Sequence, residues 1–193
     1  MDQPRRLLLA SGSRYRKALL ERFGVPFETF SPDIDEAPLA GEAPGDTALR
    51  LSVLKAKAGA QRGDVIIGAD QVASCGGKRY DKPGDHANAV RQLRELSGKT
   101  AEFHTAVTVL EANTQKMQSR VVPCRVTFKT LDEPRIQAYL EREKPYDCSA
   151  SAKAEGLGIA LIKRIDTDDP TSLIGLPLIA LSEMLERAGV RIL

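Results

Sequence analysis

The sequence predicts an α/β fold in one domain that covers residues 1–193. Short apolar runs that suit buried strands alternate along the chain with segments whose apolar residues recur at helical spacing. Hydrophobic residues make up 42% of the chain, which is enough to bury a proper core. Neither an internal repeat nor a low-complexity tract marks a linker. We therefore expect one large lobe with a smaller one attached.

The first expected elements are a strand, a turn, a helix and a second strand. Leu7–Ala10 is an apolar run that suits a buried strand, and the small residues Ser11–Ser13 break it. Apolar residues at helical spacing then predict a helix that begins at Arg14 and ends at Gly24. Phe27–Ser31 is the second strand, and a proline ends it.

A helix and a central strand follow. We expect Asp46 to cap a helix from Thr47 to about Ala60, with Leu51 and Leu54 facing inward. The apolar run Val65–Ala69 predicts a buried strand after this helix.

The second half of the chain continues the alternation. Its expected elements are a helix from Asp85 as cap through Leu96, strands near Thr100–Leu110 and Val121–Lys129, a helix over Thr130–Lys144, a strand over Leu157–Ile162 and a helix over Pro177–Ala188. The alternating pattern of the two long strands is typical of antiparallel pairing. The polar segment 166–170 is interpreted as a turn rather than a cation site, because clustered acids before a proline are ordinary turn chemistry.

The turn between the first strand and helix is a candidate phosphate site. A helix N-terminus has backbone N–H groups without partners and the positive end of the helix dipole. Ser11 and Ser13 add hydroxyls there, and Arg16 and Lys17 add positive charge. Ser13 as a simple helix cap explains the same pattern, so the turn by itself leaves both interpretations open.

Asp70 is the strongest catalytic candidate, because it lies at the expected carboxyl end of the central strand, where open α/β sheets gather ligands. A carboxylate in that place is costly unless it is paired, bound to metal or functional. With Glu36 it offers two carboxylates for a divalent metal, and Lys55 and Lys82 offer cations for phosphates. The alternatives are a turn aspartate and solvent-exposed lysines.

Composition and missing motifs disfavour several classes of function. The 28 basic and 26 acidic residues give a net charge of +2, which is too small to attract nucleic acid or an anionic membrane. Neither a Walker-type loop nor a dinucleotide fingerprint is present, and His86 and His104 stand in no recognisable zinc or triad setting. The odd number and wide spacing of Cys75, Cys124 and Cys148 predict reduced thiols in a cytoplasmic protein, and no segment suits a secretory signal or a membrane span.

A series of sequence blocks is typical of a known family. The blocks are LLLASGSRYRKALLERFG, SPDIDE, RLSVLKAKA, VIIGADQV, DKP, LRELSGK, SAKAEGLGI and SLIGLPL, from near residue 7 to near residue 181. In this order they resemble the Maf family of nucleoside triphosphate pyrophosphatases. The resemblance implies a Maf/ITPase-like fold, an elongated mixed sheet flanked by helices, with two lobes around a central cleft. It also implies hydrolysis between the α- and β-phosphates of a nucleotide, with Mg²⁺ or Mn²⁺ as the metal.

The resemblance also implies a role for each matching residue. The phosphate-binding positions are Ser11, Ser13, Arg16, Lys17, Lys55 and Lys82. Asp70 matches the proton acceptor, and Glu36 and Asp70 match the acidic metal pair. The chain departs from the family pattern at Gly12, Arg14, Lys17 and Asp81, and at Lys17 the charge is kept without the bidentate geometry of arginine.

Tyr15, Gln71 and Glu155 resemble the family's specificity positions. An aromatic residue, a glutamine and a glutamate together resemble the subgroup that acts on 7-methyl-GTP rather than the dTTP/UTP subgroup. Methylated guanine is cationic, so it favours an aromatic face, and a carboxylate can accept its N–H groups. Without the resemblance, Tyr15 is interpreted as a surface aromatic residue and Glu155 as a loop acid.

Three functional hypotheses remain open at this point. The first is a metal-dependent pyrophosphatase that acts on 7-methyl-GTP, or on dTTP and UTP. The others are a regulator of cell division that acts through a partner, and a nucleotide sensor without hydrolysis. We expect a small-molecule nucleotide as partner, and neither nucleic acid nor a membrane. A homodimer is implied by the family alone, because core packing explains the apolar helix faces equally well.

Overall fold

The computed structural model describes residues 5–193 and contains a mixed sheet of seven strands. The strands are β1 (Leu7–Ala10), β2 (Phe27–Thr29), β3 (Val65–Cys75), β4 (Lys78–Arg79), β5 (Thr100–Glu111), β6 (Met117–Phe128) and β7 (Ile162–Thr167). The helices are α1 (Arg14–Glu21), α2 (Pro44–Ala58), α3 (His86–Leu96), α4 (Glu133–Glu143) and α5 (Leu178–Arg187). The predicted α/β class, with a mixed sheet and helices, is confirmed.

The sheet has the strand order β2-β1-β3-β5-β6-β7, and β4 pairs with β3 outside this order. β1 is parallel to both of its neighbours, with Leu7 opposite Phe27 in β2 and Val65 in β3. The β3–β4 and β6–β7 pairs are antiparallel. β1 ends opposite Gly68, whereas β3 continues to Cys75. Residues 69 to 71 of β3 therefore lie just beyond the end of its parallel neighbour.

The described chain forms two compact units. The first contains the described residues up to Gln71 together with Thr105–Val122 and Asp169–Leu193. Within it, Leu7 and Leu9 of β1 belong to a buried cluster that includes residues of α1 and α5. Leu8 and Ala10 belong to a second cluster that includes Ala56 of α2. Since side chains alternate along a strand, helices cover both faces of β1.

The second unit contains Val72–His104 and Pro123–Asp168. In it α3 contacts α4, and Leu93 and Ile136 are among the buried side chains that these helices contribute. The single domain expected over residues 1–193 stays a prediction, and so does the cleft between two lobes. Residues 1–4 of that expected domain lie outside the described part of the chain.

Two details of α2 correct the sequence-based expectation. The helix begins at Pro44 with Ala43 as its cap residue, so Asp46 lies in the first turn and is not the cap. Proline suits this position, because the first helical N–H needs no partner within the helix. Leu54 is 38% exposed, whereas Lys55 is buried. The helix turns the lysine inward because a carboxylate in β3 pairs with it.

Several strand boundaries also differ from the expectation. β3 does not end at Ala69, so Asp70 and Gln71 lie within it. The strand expected at Leu157–Ile162 is wrong, because Leu157–Leu161 forms a 3-10 helix and β7 begins only at Ile162. The backbone N–H of Gly158 bonds to the carbonyl oxygen of Lys153 at 3.0 Å, so the backbone here pairs with the preceding loop and not with a neighbouring strand. The apolar run is folded tightly against its own preceding loop.

The three cysteines are free, as their spacing predicts. Burial raises the pKa of the Cys124 thiol to about 11. Within residues 5–193, no helix combines the length and the apolar character that crossing a membrane requires.

Candidate active site

A connected group of polar side chains lies at the N-terminus of α1. The Ser13 Oγ accepts a hydrogen bond from the Arg16 N–H at 3.4 Å, so Ser13 caps the helix, which is one of the two interpretations that the sequence left open. The Ser11 Oγ accepts from the Ser13 N–H at 3.2 Å and from Arg16 Nη1 at 3.3 Å. The helix terminus therefore holds two hydroxyls and one guanidinium in a single network, a combination that suits an anion.

Arg16 is the half-buried cation of this group. Its Nε donates to the carbonyl oxygen of Gly175 at 2.8 Å, which fixes the guanidinium against the loop before α5. Burial lowers the pKa of Arg16, while the negative charges of Asp70 and Glu36 act in the opposite direction. Arginine nevertheless stays protonated in proteins. Among the described residues its hydrogen-bond acceptors are a carbonyl and a hydroxyl, so no carboxylate of residues 5–193 is hydrogen-bonded to it.

Lys17 and Tyr15, two other candidates on α1, contact neighbouring residues of the same helix. Lys17 is exposed, and its Nζ lies 4.0 Å from Glu21 Oε1, one turn along the helix. The Tyr15 hydroxyl accepts from Arg14 Nη2 at 2.8 Å, and the guanidinium carbon of Arg14 lies 4.9 Å from the centroid of the Tyr15 ring. The phosphate role of Lys17 and the base-stacking role of Tyr15 stay predictions.

Three predicted residues meet at one ammonium group. Lys55 Nζ lies 2.7 Å from Asp70 Oδ1 and 2.7 Å from Glu36 Oε1. The side chains of Lys55 and Asp70 are 7% and 8% exposed, whereas that of Glu36 is 56% exposed. Buried charges of this kind are tolerated only when they are paired. The three residues therefore form a chain of charges that leads from the interior to the surface.

The approach of α2 to β3 positions this chain of charges. Gly68 lies two residues before Asp70, and a Cβ atom at Gly68 would lie 2.1 Å from the carbonyl oxygen of Ser52. Only glycine permits this contact, and Lys55 follows Ser52 by three residues on the buried face of α2. The glycine thus brings the lysine within reach of the aspartate.

The oxygen donors of Glu36 and Asp70 fit a hard divalent cation. Both carboxylates already contact one positive charge, that of Lys55. Within residues 5–193, no group of three or more His, Cys, Asp or Glu side chains is arranged to hold a metal. Mg²⁺ commonly binds one or two carboxylates and completes its shell with water and substrate phosphates. Two carboxylates are thus a donor set of the kind that Mg²⁺ accepts.

Gln71, adjacent to Asp70, has its side chain fixed by contacts that the sequence did not indicate. Its Nε2 donates to Thr105 Oγ1 and to the carbonyl oxygens of Ser172 and Leu173. These partners lie far away along the chain, so no local pattern links them. The only available signal was the SLIGLPL block, which contains the two carbonyl groups.

The loop before α5 is itself held by a buried carboxylate. Asp169 Oδ1 accepts from the backbone N–H of Thr171 at 3.1 Å, and Oδ2 accepts from that of Ile179 at 2.8 Å. Asp169 therefore makes the turn contacts expected of segment 166–170, and it organises the loop that supplies carbonyl groups to Gln71 and Arg16.

Glu155 and Lys82 belong to the second unit, and both are exposed. The loop that carries Glu155 is anchored by Glu143, whose carboxylate accepts from the Leu157 N–H at 2.6 Å and pairs with Lys153. These contacts fix the loop backbone and leave the Glu155 side chain at the surface. The base-recognition role of Glu155 and the phosphate role of Lys82 stay predictions.

Asp81, where the family commonly has glycine, makes its contacts within the second unit. Its carboxylate accepts from Arg79 Nε at 2.5 Å, and its carbonyl oxygen accepts from Gln92 Nε2 at 2.9 Å. Both contacts shape the loop that leads into Lys82. Asp81 therefore stabilises this loop through its contacts with Arg79 and Gln92.

Comparisons with known proteins identify relatives over nearly the whole chain. Residues 6–188 match the family described as "Maf-like protein". A protein of Thiobacillus denitrificans named 7-methyl-GTP pyrophosphatase is 52% identical over 189 residues, covering 97% of this chain and 94% of that protein. A protein of Bordetella avium with the same name is 53% identical over 192 residues, covering 98% and 96% of the two chains.

A HAM1 protein from Coxiella burnetii superimposes with a TM-score of 0.44 at 16% identity, covering 81% of this chain and 98% of that chain. The family match and the two relatives, by contrast, extend over nearly the whole sequence. On that ground the chain belongs to the Maf family.

Proposed function

We propose that the protein is a nucleotide pyrophosphatase that hydrolyses 7-methyl-GTP between the α- and β-phosphates, releasing 7-methyl-GMP and pyrophosphate. The observation that carries the proposal is the buried Asp70, which Lys55 and Glu36 connect to the surface. The names of the relatives support the substrate. Tyr15, Gln71 and Glu155, at the positions that resemble the specificity sites, support it as well.

Asp70 is suited to activate the attacking water. Lys55 holds Oδ1 at 2.7 Å, and this contact orients the carboxylate so that its second oxygen can take a proton from water. The water oxygen then attacks a phosphorus atom, the bond to the bridging oxygen breaks, and pyrophosphate leaves. Side chains on a packed helix and strand keep this geometry rigid.

The cations at the α1 terminus are suited to bind the triphosphate. Arg16 offers a guanidinium that contacts no carboxylate of residues 5–193 directly, and Ser11 and Ser13 offer hydroxyls beside it. Positive charge at this point stabilises the charge that builds up on the leaving group. Mg²⁺ or Mn²⁺, held by Glu36 and Asp70, would further neutralise the phosphate oxygens when bound.

The central experiment is the substitution Asp70→Asn. We expect pyrophosphate release from 7-methyl-GTP to stop, while calorimetry still detects nucleotide binding. Asp64→Asn is the matched control, because Asp64 pairs with Arg6 at the surface and should keep full turnover. Wild-type turnover by Asp70→Asn would refute the assigned role.

A product assay separates the other hypotheses. Pure protein is incubated with 7-methyl-GTP, GTP, dTTP or UTP in the presence of Mg²⁺ or Mn²⁺, and the products are identified. Pyrophosphate and monophosphate from 7-methyl-GTP support the proposal, whereas preferred cleavage of dTTP or UTP indicates the other subgroup. Orthophosphate indicates attack on a different bond, and binding without any product indicates a sensor.

We further propose that the protein works in the cytoplasm, which its free cysteines support. A homodimer is expected from the family resemblance, and light scattering of the purified protein tests it. Neither nucleic acid nor a membrane is expected as a partner, because the net charge of the sequence is only +2.

A further inference from the structure

Three oxygen atoms surround the side-chain nitrogen of Gln71. Nε2 lies 3.0 Å from Thr105 Oγ1, 3.0 Å from the Ser172 carbonyl oxygen and 3.1 Å from that of Leu173. All four residues belong to the first compact unit. An amide nitrogen can donate to these atoms, whereas an amide oxygen cannot receive anything from a carbonyl.

This environment determines which amide atom points inward. A reversed Gln71 side chain would place Oε1 against the carbonyl oxygens of Ser172 and Leu173, leaving acceptors opposite an acceptor. The Thr105 hydroxyl does not favour the reversed state, because it already donates to the Ser172 carbonyl at 2.8 Å. Within residues 5–193 no donor contacts Oε1, so this oxygen keeps its accepting capacity for a ligand.

Thr105 is central to this arrangement. It is 0% exposed, and its one hydroxyl both accepts from Gln71 and donates to Ser172. We propose that Thr105 is a positioning residue that holds Gln71 with its amide oxygen outward, as an acceptor for an N–H group of the nucleobase. The inference rests on the proposed function, in which Gln71 contacts the base. The amino group or the ring N–H of 7-methylguanine is a donor of the required kind.

The test is Thr105→Val, which keeps the shape of the side chain and removes the hydroxyl. We expect KM for 7-methyl-GTP to rise about tenfold, the effect of roughly one hydrogen bond, because Nε2 then keeps only its two carbonyl acceptors and the amide is held less firmly. The kcat should change less than about twofold, since Gln71 contacts the base and not the reacting phosphate. Thr105→Ser restores the hydroxyl and should restore KM.

Thr108→Val is the matched control. Thr108 lies on the same strand and is also 0% exposed, but its hydroxyl contacts Ser52 and Ser119 at 2.8 Å each. Both valine variants lose a buried hydroxyl, and thermal unfolding reports the stability cost of each. Only Thr105→Val should change KM. An equal change of KM in both variants would show that Thr105 acts through general packing and would overturn the proposal.

A double-mutant cycle tests whether Thr105 acts through Gln71. In a Gln71→Ala background, Thr105→Val should cause no further rise in KM, because the group that it positions is gone. Additive effects of the two substitutions would contradict the inference.

A spectroscopic measurement keeps the inference testable without turnover. The side-chain NH₂ signals of Gln71 in ¹⁵N-labelled protein are assigned from their loss in Gln71→Ala. We expect Thr105→Val to shift these signals and speed their exchange with solvent, whereas Thr108→Val leaves them in place. Unchanged signals in Thr105→Val would overturn the positioning role, even if the protein hydrolysed none of the nucleotides and the proposed function failed.

Discussion

Lys55 Nζ and Asp70 Oδ1 lie 2.7 Å apart, between side chains that are only 7% and 8% exposed. A buried ion pair adds little net stability, because the desolvation of both charges offsets their attraction. The pair is therefore weak evidence for stability, and it is consistent with the catalytic role that we propose for Asp70. Lys55 Nζ also contacts the carboxylate of Glu36, whose side chain is 56% exposed. The three charged side chains therefore connect the buried Asp70 to the protein surface.

The first prediction concerns the cost of breaking this pair. Lys55→Met fills a similar volume but leaves Asp70 buried without its partner, which should lower the free energy of unfolding by about 3–5 kcal/mol. Urea denaturation measures this change. Lys78→Met is the control, because the Lys78–Glu95 pair is exposed and should contribute about 0–1 kcal/mol. Similar losses in the two variants would contradict our account of the buried pair.

Local signals in the sequence were sufficient for the helix starts of α1 and α3. Ser13 and Asp85 each accept a hydrogen bond from a backbone N–H in the first turn; the sequence predicted this cap for Asp85 and offered it as one of two interpretations for Ser13. The end of β3 was placed wrongly, because the apolar run stops at Ala69 while the strand continues to Cys75. The polar residues Asp70 and Gln71 interrupt the apolar pattern within the strand, so the prediction of where the strand ends was wrong at the candidate site.

Contacts between distant parts of the chain could not be predicted. Gln71 and Ser172 are separated by 101 positions, and nothing in either segment indicates the other. The inward turn of Lys55 was missed for a related reason, since a lysine on a helix is ordinarily a surface residue. Its burial depends on Asp70, which only the folded chain brings close.

The second prediction concerns Gly68. A methyl group at this position would lie 2.1 Å from the Ser52 carbonyl oxygen and 2.6 Å from the Ala56 nitrogen. Gly68→Ala must therefore push α2 away from β3, and we expect a loss of about 1–3 kcal/mol in stability, measured by urea denaturation. Turnover should fall as well, because the same displacement separates Lys55 from Asp70.

Gly12→Ala serves as the control for this substitution. Its methyl group would meet the Oγ of Ser31 at 2.8 Å, and a serine side chain can rotate away. We expect a stability change within about 0.5 kcal/mol. If Gly68→Ala were equally mild, the close approach of helix and strand would not be what positions the lysine.

The third prediction concerns the stability of the protein in acid. The hydrogen bonds from Arg50 lower the pKa of Glu42 from 4.5 to about 2. A carboxyl whose pKa is depressed in the folded state stabilises the fold above its unfolded pKa, and the contribution is lost as the pH falls through the folded value. The contribution of Glu42 should therefore be complete above pH 4.5 and disappear towards pH 2.

Arg50→Gln tests this pH dependence through urea denaturation between about pH 6 and about pH 3. The wild type should be more stable than the variant at the upper end, and the difference should shrink as the pH falls below 4.5. Arg62→Gln is the control, because Arg62 stacks on the ring of Phe30 at 4.1 Å and should show a constant difference. A constant difference for Arg50→Gln would show that Arg50 does not lower the pKa of Glu42.

Arg50 Nη2 also donates to the carbonyl oxygen of Ala37. The Arg50–Glu42 pair therefore also holds the segment next to Glu36.

The fourth prediction separates the two roles of Ser13. As a helix cap, serine is replaced by glycine at a cost of a few tenths of a kcal/mol and by alanine at a cost of about 1 kcal/mol. As a phosphate ligand, Ser13 acts through its hydroxyl, which is missing from both the glycine and the alanine variant. Ser13→Ala should therefore unfold at lower urea concentration than Ser13→Gly, while both raise KM for the nucleotide by about fivefold to tenfold.

Asp132 provides the matched control, because it caps α4 in the second unit and accepts from the Arg135 N–H at 3.0 Å. Asp132→Ala and Asp132→Gly should reproduce the order of stabilities without changing KM, since no phosphate role is assigned to that helix. A wild-type KM in Ser13→Gly would mean that the hydroxyl serves only the helix. The phosphates would then depend on Arg16 and Ser11, whose contact at 3.3 Å persists without the Ser13 side chain.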